Sequence, residues 1–187
     1  MNEEINKVVK VLQEGGIILY PTDTIWGIGC DATNRESVKR IYDLKKRVDS
    51  KAMIVLIDTE QRLGQCISEV PEIAWQLLQV ADKPLTIIYP GAKNLADNLI
   101  AENGSIGIRI VQDEFCRNLI HRFKKPIVST SANISGEKSP SIFTDISNKI
   151  IRGVDYVVRW RQNNTDTAKP SSILELGLHG EIKIIRS

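Results

Sequence analysis

The chain has 187 residues, of which 42% are apolar and 26% are charged, proportions typical of a globular protein with a core of its own. The 25 lysines and arginines barely outnumber the 23 acidic residues, so the net charge of +2 gives no support to nucleic-acid binding as the main role, and any anion site must be local. Residues 1–16 combine acidic side chains with spaced apolar ones, which excludes a signal peptide or membrane span there and predicts a cytoplasmic protein.

Helix and strand signals alternate from the N terminus. Apolar residues on one helical face predict a first helix that ends at the glycine pair 15–16, followed by a strand over 16–22. The segment from Thr33 to Glu36 predicts the start of a second helix, in which the threonine hydroxyl and the glutamate carboxylate cap free N–H groups. Basic residues 45–47 end this helix. The apolar faces of the two helices comprise Ile5, Val8, Val9, Leu12, Val38, Ile41 and Leu44.

The remaining elements predict the fold class. Helices alternate with strands up to about residue 130, whereas consecutive strands close the chain. This order predicts an α/β or α+β protein in which helices pack on an open, twisted, mixed sheet, with residues 1–187 forming a single domain. The polar stretch 161–170 is predicted to be a loop. Strands are predicted at 53–57, 85–90, 105–111, 126–130, 156–160, 171–176 and 181–186, and helices at 71–80, at 113–123 and near Ile146.

The cysteines and histidines do not form a metal or disulfide pattern. Cys30, Cys66 and Cys116 are odd in number and widely separated, so we expect three buried thiols. His121 and His179 stand alone in the sequence, and we expect structural or surface roles for both. No protein-bound metal site is predicted.

The segment PTDTIWGIGCDA (21–32) allows two interpretations. Gly27 and Gly29 do not fit a dinucleotide-binding fingerprint, because that motif needs its first glycine tight against the strand end and here residues 21–26 intervene. A surface turn would use these glycines for positive φ, with Trp26 filling a gap. Alternatively, the hydroxyls of Thr22 and Thr24 at the strand exit orient a small polar ligand.

Two further segments carry groups that suit a phosphate ligand. Lys45, Lys46, Arg47 and Lys51 lie at and just beyond a helix end, where cations are either solvated or form a polyphosphate cradle. The segment STSANISG (129–136) follows a predicted strand and supplies hydroxyls, a carboxamide and a glycine with unusual backbone freedom.

Seven motifs together resemble one family. PTDTIWGIG, the K-x-R of residues 45–47, KPLTIIYPG, SIGIRI, STSANISGEKSP, PSSILEL and the terminal IIR follow the order seen in YrdC-like threonylcarbamoyl-AMP synthases. The resemblance covers essentially the whole chain, which ends just after the last motif, as in the stand-alone bacterial TsaC-type form. It implies a YrdC/RibB-like fold with a concave, positively charged cavity.

The resemblance also implies a reaction. Such enzymes make L-threonylcarbamoyl-AMP and pyrophosphate from L-threonine, bicarbonate and ATP, with Mg²⁺ accompanying the nucleotide. Partner proteins then use the product to modify tRNA to N6-threonylcarbamoyladenosine, and weak binding to double-stranded RNA is a further implied property. An RNA-binding module and a non-synthase, nucleotide-binding paralogue of the same fold remain as alternatives.

Matching the motifs residue by residue implies two subsites. The threonine-binding residues would be Thr24, Arg109, Ser129 and Ser171, with Arg109 suited to the carboxylate. The ATP-binding residues would be Lys45, Arg47, Lys51, Ser105, Ser131, Asn133, Ser139 and Arg186. Of these, Lys45, Arg47, Ser131 and Asn133 would be catalytic, through positioning and electrostatics rather than as covalent nucleophiles.

The chain departs from the family pattern at several positions. Val48 replaces a proline, Lys51-Ala52-Met53 replaces N-P-L, and Leu56 stands where many members carry a histidine near threonine. Residues 80–83 replace the W-P-G that usually precedes P-L-T. These differences leave the nucleotide-side role of Lys51 and the backbone path before Thr86 open.

Overall fold

The computed structural model describes residues 1–46, 53–167 and 169–187. Helices in this part of the chain are α1 (Asn2–Gln13), α2 (Arg35–Lys45), α3 (Leu63–Cys66), α4 (Glu72–Val80), α5 (Glu114–Phe123) and α6 (Asn148–Gly153), with short 3-10 turns at Glu60–Arg62, Asp97–Leu99 and Phe143–Asp145. Strands are β1 (Ile18–Tyr20), β2 (Gly27–Gly29), β3 (Ile54–Ile57), β4 (Leu85–Tyr89), β5 (Ile106–Ile110), β6 (Ile127–Ser131), β7 (Tyr156–Val157), β8 (Ser172–Leu176) and β9 (Ile182–Arg186).

The strands form one mixed sheet in the order β7-β1-β2-β6-β3-β5-β4-β8-β9. The pairs β1–β7, β3–β5 and β4–β8 are parallel, and the other neighbouring pairs are antiparallel. The predicted α/β architecture with a mixed sheet is therefore confirmed. Successive strand residues point to opposite faces, so each face needs its own apolar cover.

Two apolar clusters cover the two faces. The first places α1 and α5 against one face, where Leu56 and Ile127 contact residues such as Phe115. The second gathers residues from α2, α4 and α6 on the opposite face, where Val55 and Val128 point. The alternation of Val55 with Leu56 and of Ile127 with Val128 between the clusters is the period of two expected of strands buried on both sides.

The first helix follows its sequence pattern closely. Its four predicted face residues, Ile5, Val8, Val9 and Leu12, are all buried. Gly15 adopts φ +77° just after the helix, a conformation that other residues take only with strain. The three cysteines are also buried, as expected. None of the helices in the described ranges has both the length and the apolar character that a bilayer crossing requires.

Two local predictions are wrong. The second helix is capped by Asn34, whose side chain accepts a hydrogen bond from the Ser37 amide at 3.1 Å, while the Thr33 hydroxyl donates to Asp31 at 2.6 Å. Asparagine is the stronger cap, so the helix starts one residue later than expected.

The turn interpretation of residues 27–29 also fails. These residues form the buried strand β2 between β1 and β6, and neither glycine has a positive φ. A Cβ at Gly29 would lie 2.5 Å from the Val128 carbonyl oxygen and 2.7 Å from the Tyr20 ring. Close approach of neighbouring strands therefore explains this glycine better than backbone freedom does.

Candidate functional site

A cleft of about 210 Å³ opens where strands from the middle and the β8–β9 end of the sheet meet the segment before β2. Predicted site residues on several separate elements line it together. Apolar side chains also line the cleft, and they belong to Trp26, Met53, Ile54 and Ile173. The predicted residues at the cleft are Thr24, Arg109, Ser129, Ser131, Ser139, Ser171 and Arg186.

Four of these side chains form a buried polar wall. Thr24, Arg109, Ser129 and Ser171 are all buried, although each lines the cleft. They are the four residues that the family resemblance assigns to threonine. Burial matters because polar groups held in a low-dielectric environment interact more strongly with a ligand and need no reorganisation to do so. We refer to these four residues as the polar wall.

Arg109 is the cation of the polar wall. It lies on β5, and its Nη2 atom is 2.9 Å from Asp23 Oδ1, with the two side chains 3% and 9% exposed. Nε and Nη2 of Arg109 are buried and donate to no acceptor among the described residues. Arg109 is therefore held at the cleft by the charge of Asp23.

Asp23 lies behind Arg109 rather than at the cleft. It lines a neighbouring cavity of about 190 Å³, together with Arg161 and Asp166 from the predicted loop. Its Oδ2 atom accepts a long hydrogen bond from the Gln112 amide at 3.4 Å. The sequence placed Asp23 between two threonines but did not predict its partner, because the pair spans two distant segments.

The hydroxyls of the polar wall are held by local contacts. Thr24 Oγ1 lies 3.0 Å from Thr22 Oγ1, which also donates to the Ile25 carbonyl at 2.8 Å. This contact supports the ligand-orienting interpretation of the segment. A Cβ at Gly27 would lie 3.1 Å from Ser129 Oγ, so a larger residue there would crowd this hydroxyl.

Ser171 is bound on two sides. Its hydroxyl lies 2.8 Å from the hydroxyl of Thr86, and its carbonyl accepts a hydrogen bond from Arg186 Nε at 2.9 Å. Thr86 is completely buried and was not predicted as a site residue. A threonine within the otherwise apolar strand LTIIY was the available signal.

Arg186 gives the cleft a second cation. It has no carboxylate within ion-pair distance among the described residues, in contrast to Arg109. Burial, and then the nearby charge of Arg109, lower the pKa of the Arg186 guanidinium, which still remains charged at neutral pH. Two guanidinium groups close enough to repel each other favour an anionic ligand between them.

The other predicted ATP residues are less well gathered. Ser105 lies in the turn before β5, and its hydroxyl donates to Asn103 Oδ1 at 2.7 Å. Lys45 and Asn133 do not line the cleft. Arg47 and Lys51 lie outside the described residues, as does Val48.

Lys45 is buried at the end of α2 rather than solvated. Only 1% of it is exposed, and its ammonium donates to the backbone carbonyls of Ser131 and of Asn133, the latter at 2.6 Å. The interpretation of this part of the basic run as a solvated helix end is therefore wrong. Its ammonium holds the backbone of the segment that carries two predicted catalytic side chains.

The turn after β6 is also well ordered by hydrogen bonds. Asn133 Nδ2 donates to the carbonyls of Ile134 at 3.0 Å and Glu137 at 2.7 Å. Gly136 adopts φ +89°, as its predicted backbone freedom requires. Asn133 Oδ1 is buried and accepts no hydrogen bond from the described residues.

Several singled-out residues lie away from the cleft. Leu56 is fully buried under α1 and α5, so the family's histidine position carries a core residue here. His121 is exposed and its Nδ1 atom is 3.5 Å from Asp58, and His179 is exposed in the β8–β9 turn. Val80 ends α4 and is largely exposed. Within the described ranges, no group of three or more His, Cys, Asp or Glu side chains could hold a metal ion.

The chain is similar in sequence to known proteins. Residues 10–187 match the Sua5/YciO/YrdC family model, which carries the description telomere recombination. The chain is 31% identical over 170 residues to a threonylcarbamoyl-AMP synthase of Hahella chejuensis, covering 90% of this chain and 91% of the relative. It is 30% identical over 151 residues to a threonylcarbamoyl-AMP synthase of Photobacterium profundum, covering 79% of this chain and 82% of the relative.

A solved structure gives the same fold. The structure of P. abyssi Sua5 in complex with L-threonine superposes with a TM-score of 0.81 at 25% identity and covers 92% of this chain. This chain spans 50% of the length of that Sua5 chain. The expected YrdC-like fold is therefore confirmed.

Proposed function

The chain belongs to the Sua5/YciO/YrdC family, and we propose that it is an L-threonylcarbamoyladenylate synthase, a nucleotidyltransferase acting in tRNA modification. The observation that carries this proposal is the polar wall, which joins a buried guanidinium to three buried hydroxyls beside a second guanidinium. Such a wall suits a small zwitterion with a hydroxyl group, and threonine is bound by the Sua5 protein of the same fold.

The dimensions of the cleft support separate roles for its two sides. A volume of about 210 Å³ is below the roughly 300–1,000 Å³ of pockets for drug-sized ligands, so it suits an amino acid better than a whole nucleotide. We infer that threonine occupies the polar wall with its carboxylate on Arg109. ATP would lie across the open side, with its phosphates near Arg186, Ser131 and Ser139.

The remaining predicted ATP residues keep their assignments as proposals. Lys45 would act by holding the backbone after β6, and Asn133 by holding the following turn through the hydrogen bonds of its Nδ2. Ser105 would serve the nucleotide from the turn before β5. Arg47 and Lys51 are assigned from the sequence alone.

The proposed reaction has two steps. The threonine amine attacks the carbon of bicarbonate, and loss of water leaves an N-carboxylate. A carboxylate oxygen then attacks the α-phosphorus of ATP, and the bond from this phosphorus to the bridging oxygen breaks, releasing pyrophosphate. Because the substrate supplies its own nucleophile, the chain contributes positioning and neutralisation of charge at the α-phosphate.

The proposal includes a metal ion, partners and a location. Mg²⁺ would enter with ATP and neutralise its phosphates, because the cleft presents cations and hydroxyls rather than a carboxylate cluster. Partner proteins would pass the threonylcarbamoyl group to tRNA in the cytoplasm. We also infer a single domain over 1–187, since both apolar clusters pack on one sheet.

Product formation tests the proposal. The purified chain is incubated with ATP, Mg²⁺, bicarbonate and L-threonine, and pyrophosphate release is followed while threonylcarbamoyl-AMP is sought by mass spectrometry. We expect both signals to require all three substrates. Nucleotide binding without either product would favour a non-synthase paralogue, and RNA affinity that falls steeply with salt would favour an RNA-binding role.

A further inference from the structure

We propose that Thr86 is a positioning residue of the threonine pocket, acting through the hydroxyl of Ser171. The inference deepens the proposed function and rests on it, because it assumes that Ser171 contacts threonine. Thr86 itself does not line the cleft. Its influence on a ligand must therefore pass through a neighbour.

The burial of Thr86 calls for an explanation. It is 0% exposed on β4, among Leu85, Ile87, Ile88 and Tyr89, and its side chain has one hydrogen-bond partner in the described structure, the Ser171 hydroxyl at 2.8 Å. Valine has nearly the same shape, favours strands and carries no polar atom to desolvate. A threonine here is therefore better explained by what its hydroxyl does than by packing.

The surroundings of Thr86 hold its side chain in one orientation. On β5, an added Cβ at Gly107 would lie 3.5 Å from Thr86 Cγ2 and 3.2 Å from Ile54 Cγ2, so the threonine methyl lies over this glycine. A β-branched side chain has few χ1 choices, and fixing the methyl also fixes the hydroxyl. The hydroxyl is thus directed at Ser171, at the entrance to β8.

Ser171 has a second contact, made by its carbonyl, and this leaves the Thr86 contact to decide where the Ser171 hydroxyl points. Arg186 Nε holds the Ser171 carbonyl at 2.9 Å, which fixes the backbone but leaves the side-chain torsion free. The Thr86 hydroxyl then selects the rotamer of Ser171 and occupies one of its hydrogen-bonding positions. Ser171 lines the cleft together with Arg109, which is the strand partner of Thr86, so its remaining hydrogen-bonding capacity can serve a ligand there.

A substitution series tests the inference. Thr86→Val keeps the shape and removes the hydroxyl, and we expect the KM for threonine to rise about 5- to 20-fold, the cost of one misplaced hydrogen bond. The KM for ATP should change less than about twofold, because Arg186 keeps its contact. Thr86→Ser restores a hydroxyl and should recover most of the threonine affinity.

Two further variants separate positioning from general damage. In the Ser171→Ala background, Thr86→Val should add almost nothing, since its effect passes through the missing hydroxyl. Ser37→Ala is the matched control, because the Ser37 hydroxyl donates to the Gly15 carbonyl at 2.8 Å and does not line the cleft. It should leave both KM values unchanged.

Failure of the inference can be told apart from failure of the proposed function. An active wild type whose threonine KM is unaffected by Thr86→Val, or whose two KM values rise together without rescue by Thr86→Ser, overturns the positioning role alone. Threonine binding by calorimetry gives a second readout that needs no turnover, and Thr86→Val should weaken it by the same factor. A folded wild type that neither forms product nor binds threonine overturns both.

Discussion

The two sides of the cleft are constructed differently. The polar wall is formed by buried side chains on strands or just beside them, and three of the four are held by a neighbour: Arg109 by Asp23, Thr24 by Thr22 and Ser171 by Thr86. The proposed nucleotide side depends on the exposed Arg186, on the half-buried Ser105 and on residues after β6. A small rigid substrate can be recognised by fixed groups, whereas a flexible polyphosphate is bound by cations with freedom to adjust.

Removing Arg109 should have the largest effect, because it breaks the polar wall at its only cation. Arg109→Gln should lower kcat/KM for threonine at least about 100-fold and destabilise the fold by about 3 kcal/mol, since it leaves the Asp23 carboxylate buried without a cation. Steady-state kinetics and urea unfolding measure the two effects. The double variant Asp23→Asn/Arg109→Gln should recover stability but not activity. Recovery of activity in the double variant would contradict the role of Arg109 in binding.

The second prediction separates two cations of the same basic run. Lys45→Met should lower the melting temperature by roughly 5 to 15 °C, because the backbone carbonyls of Ser131 and Asn133 lose their ammonium donor, a loss of about 2–4 kcal/mol in stability. Activity should fall as well. Arg47→Ala, predicted from the sequence to remove a phosphate contact, should cut synthesis at least about tenfold with a melting temperature within a few degrees of wild type. Calorimetry measures both melting temperatures. A Lys45→Met variant that melts at the wild-type temperature would contradict the expected contrast.

Arg186 provides a smaller effect on the nucleotide side. Arg186→Gln should raise the KM for ATP about tenfold at low salt, because the exposed guanidinium acts on phosphate charge. The KM for threonine should change less, because Thr86 still directs the Ser171 hydroxyl and β8 stays paired with β4 when the Arg186 contact to the Ser171 carbonyl is lost. The difference from wild type should shrink as salt is raised from about 0.05 to about 0.5 M, since ions screen exposed charges. If the change in the KM for ATP does not depend on salt, or if the KM for threonine changes equally, Arg186 acts on threonine together with the polar wall.

The smallest expected effect is a loss of folding stability at high pH, caused by the cysteine thiols buried in the apolar clusters. Burial raises the pKa of the Cys66 thiol to about 11 and raises that of Cys30 and Cys116 too. The unfolded chain therefore releases these protons first, so stability is fully present below about pH 8.5 and is lost as pH rises towards 11. Urea unfolding between pH 7 and 10.5 should show this fall, with a shallower slope for Cys66→Ala. A free energy of unfolding that increases over this pH range would contradict a raised pKa for the buried thiols.

Local sequence signals predicted the elements well, and close contacts between segments explain the exceptions. The spacing of Ile5, Val8, Val9 and Leu12 was sufficient for α1, because a helix face is a local pattern. Strand β2 was missed, since three residues that include two glycines carry no strand signal and depend on pairing with β1 and β6. The threonine cap at residue 33 failed for a related reason, because Asp31 competes for its hydroxyl.

In the candidate site, as in the fold, the sequence predicted individual residues better than contacts between distant segments. The motifs predicted seven residues that line the cleft, including Arg109 and Ser171. They did not predict Asp23 or Thr86 as supporting residues, because a supporting contact is a distance between remote segments rather than a spacing in the sequence. They also did not predict that Lys45 is buried, since a lysine at a helix end normally reaches solvent.

Isotope tracing can show whether the cleft joins threonine, bicarbonate and ATP in one product. The chain is incubated with ¹³C-bicarbonate, ¹⁵N-threonine, ATP and Mg²⁺, and nucleotide products are resolved by mass spectrometry beside the Arg109→Gln/Asp23→Asn variant. We expect an AMP adduct that carries both labels and is at least about 100-fold less abundant with the variant. A folded wild-type protein that gives no doubly labelled adduct, or a variant that gives as much as wild type, would contradict this expectation.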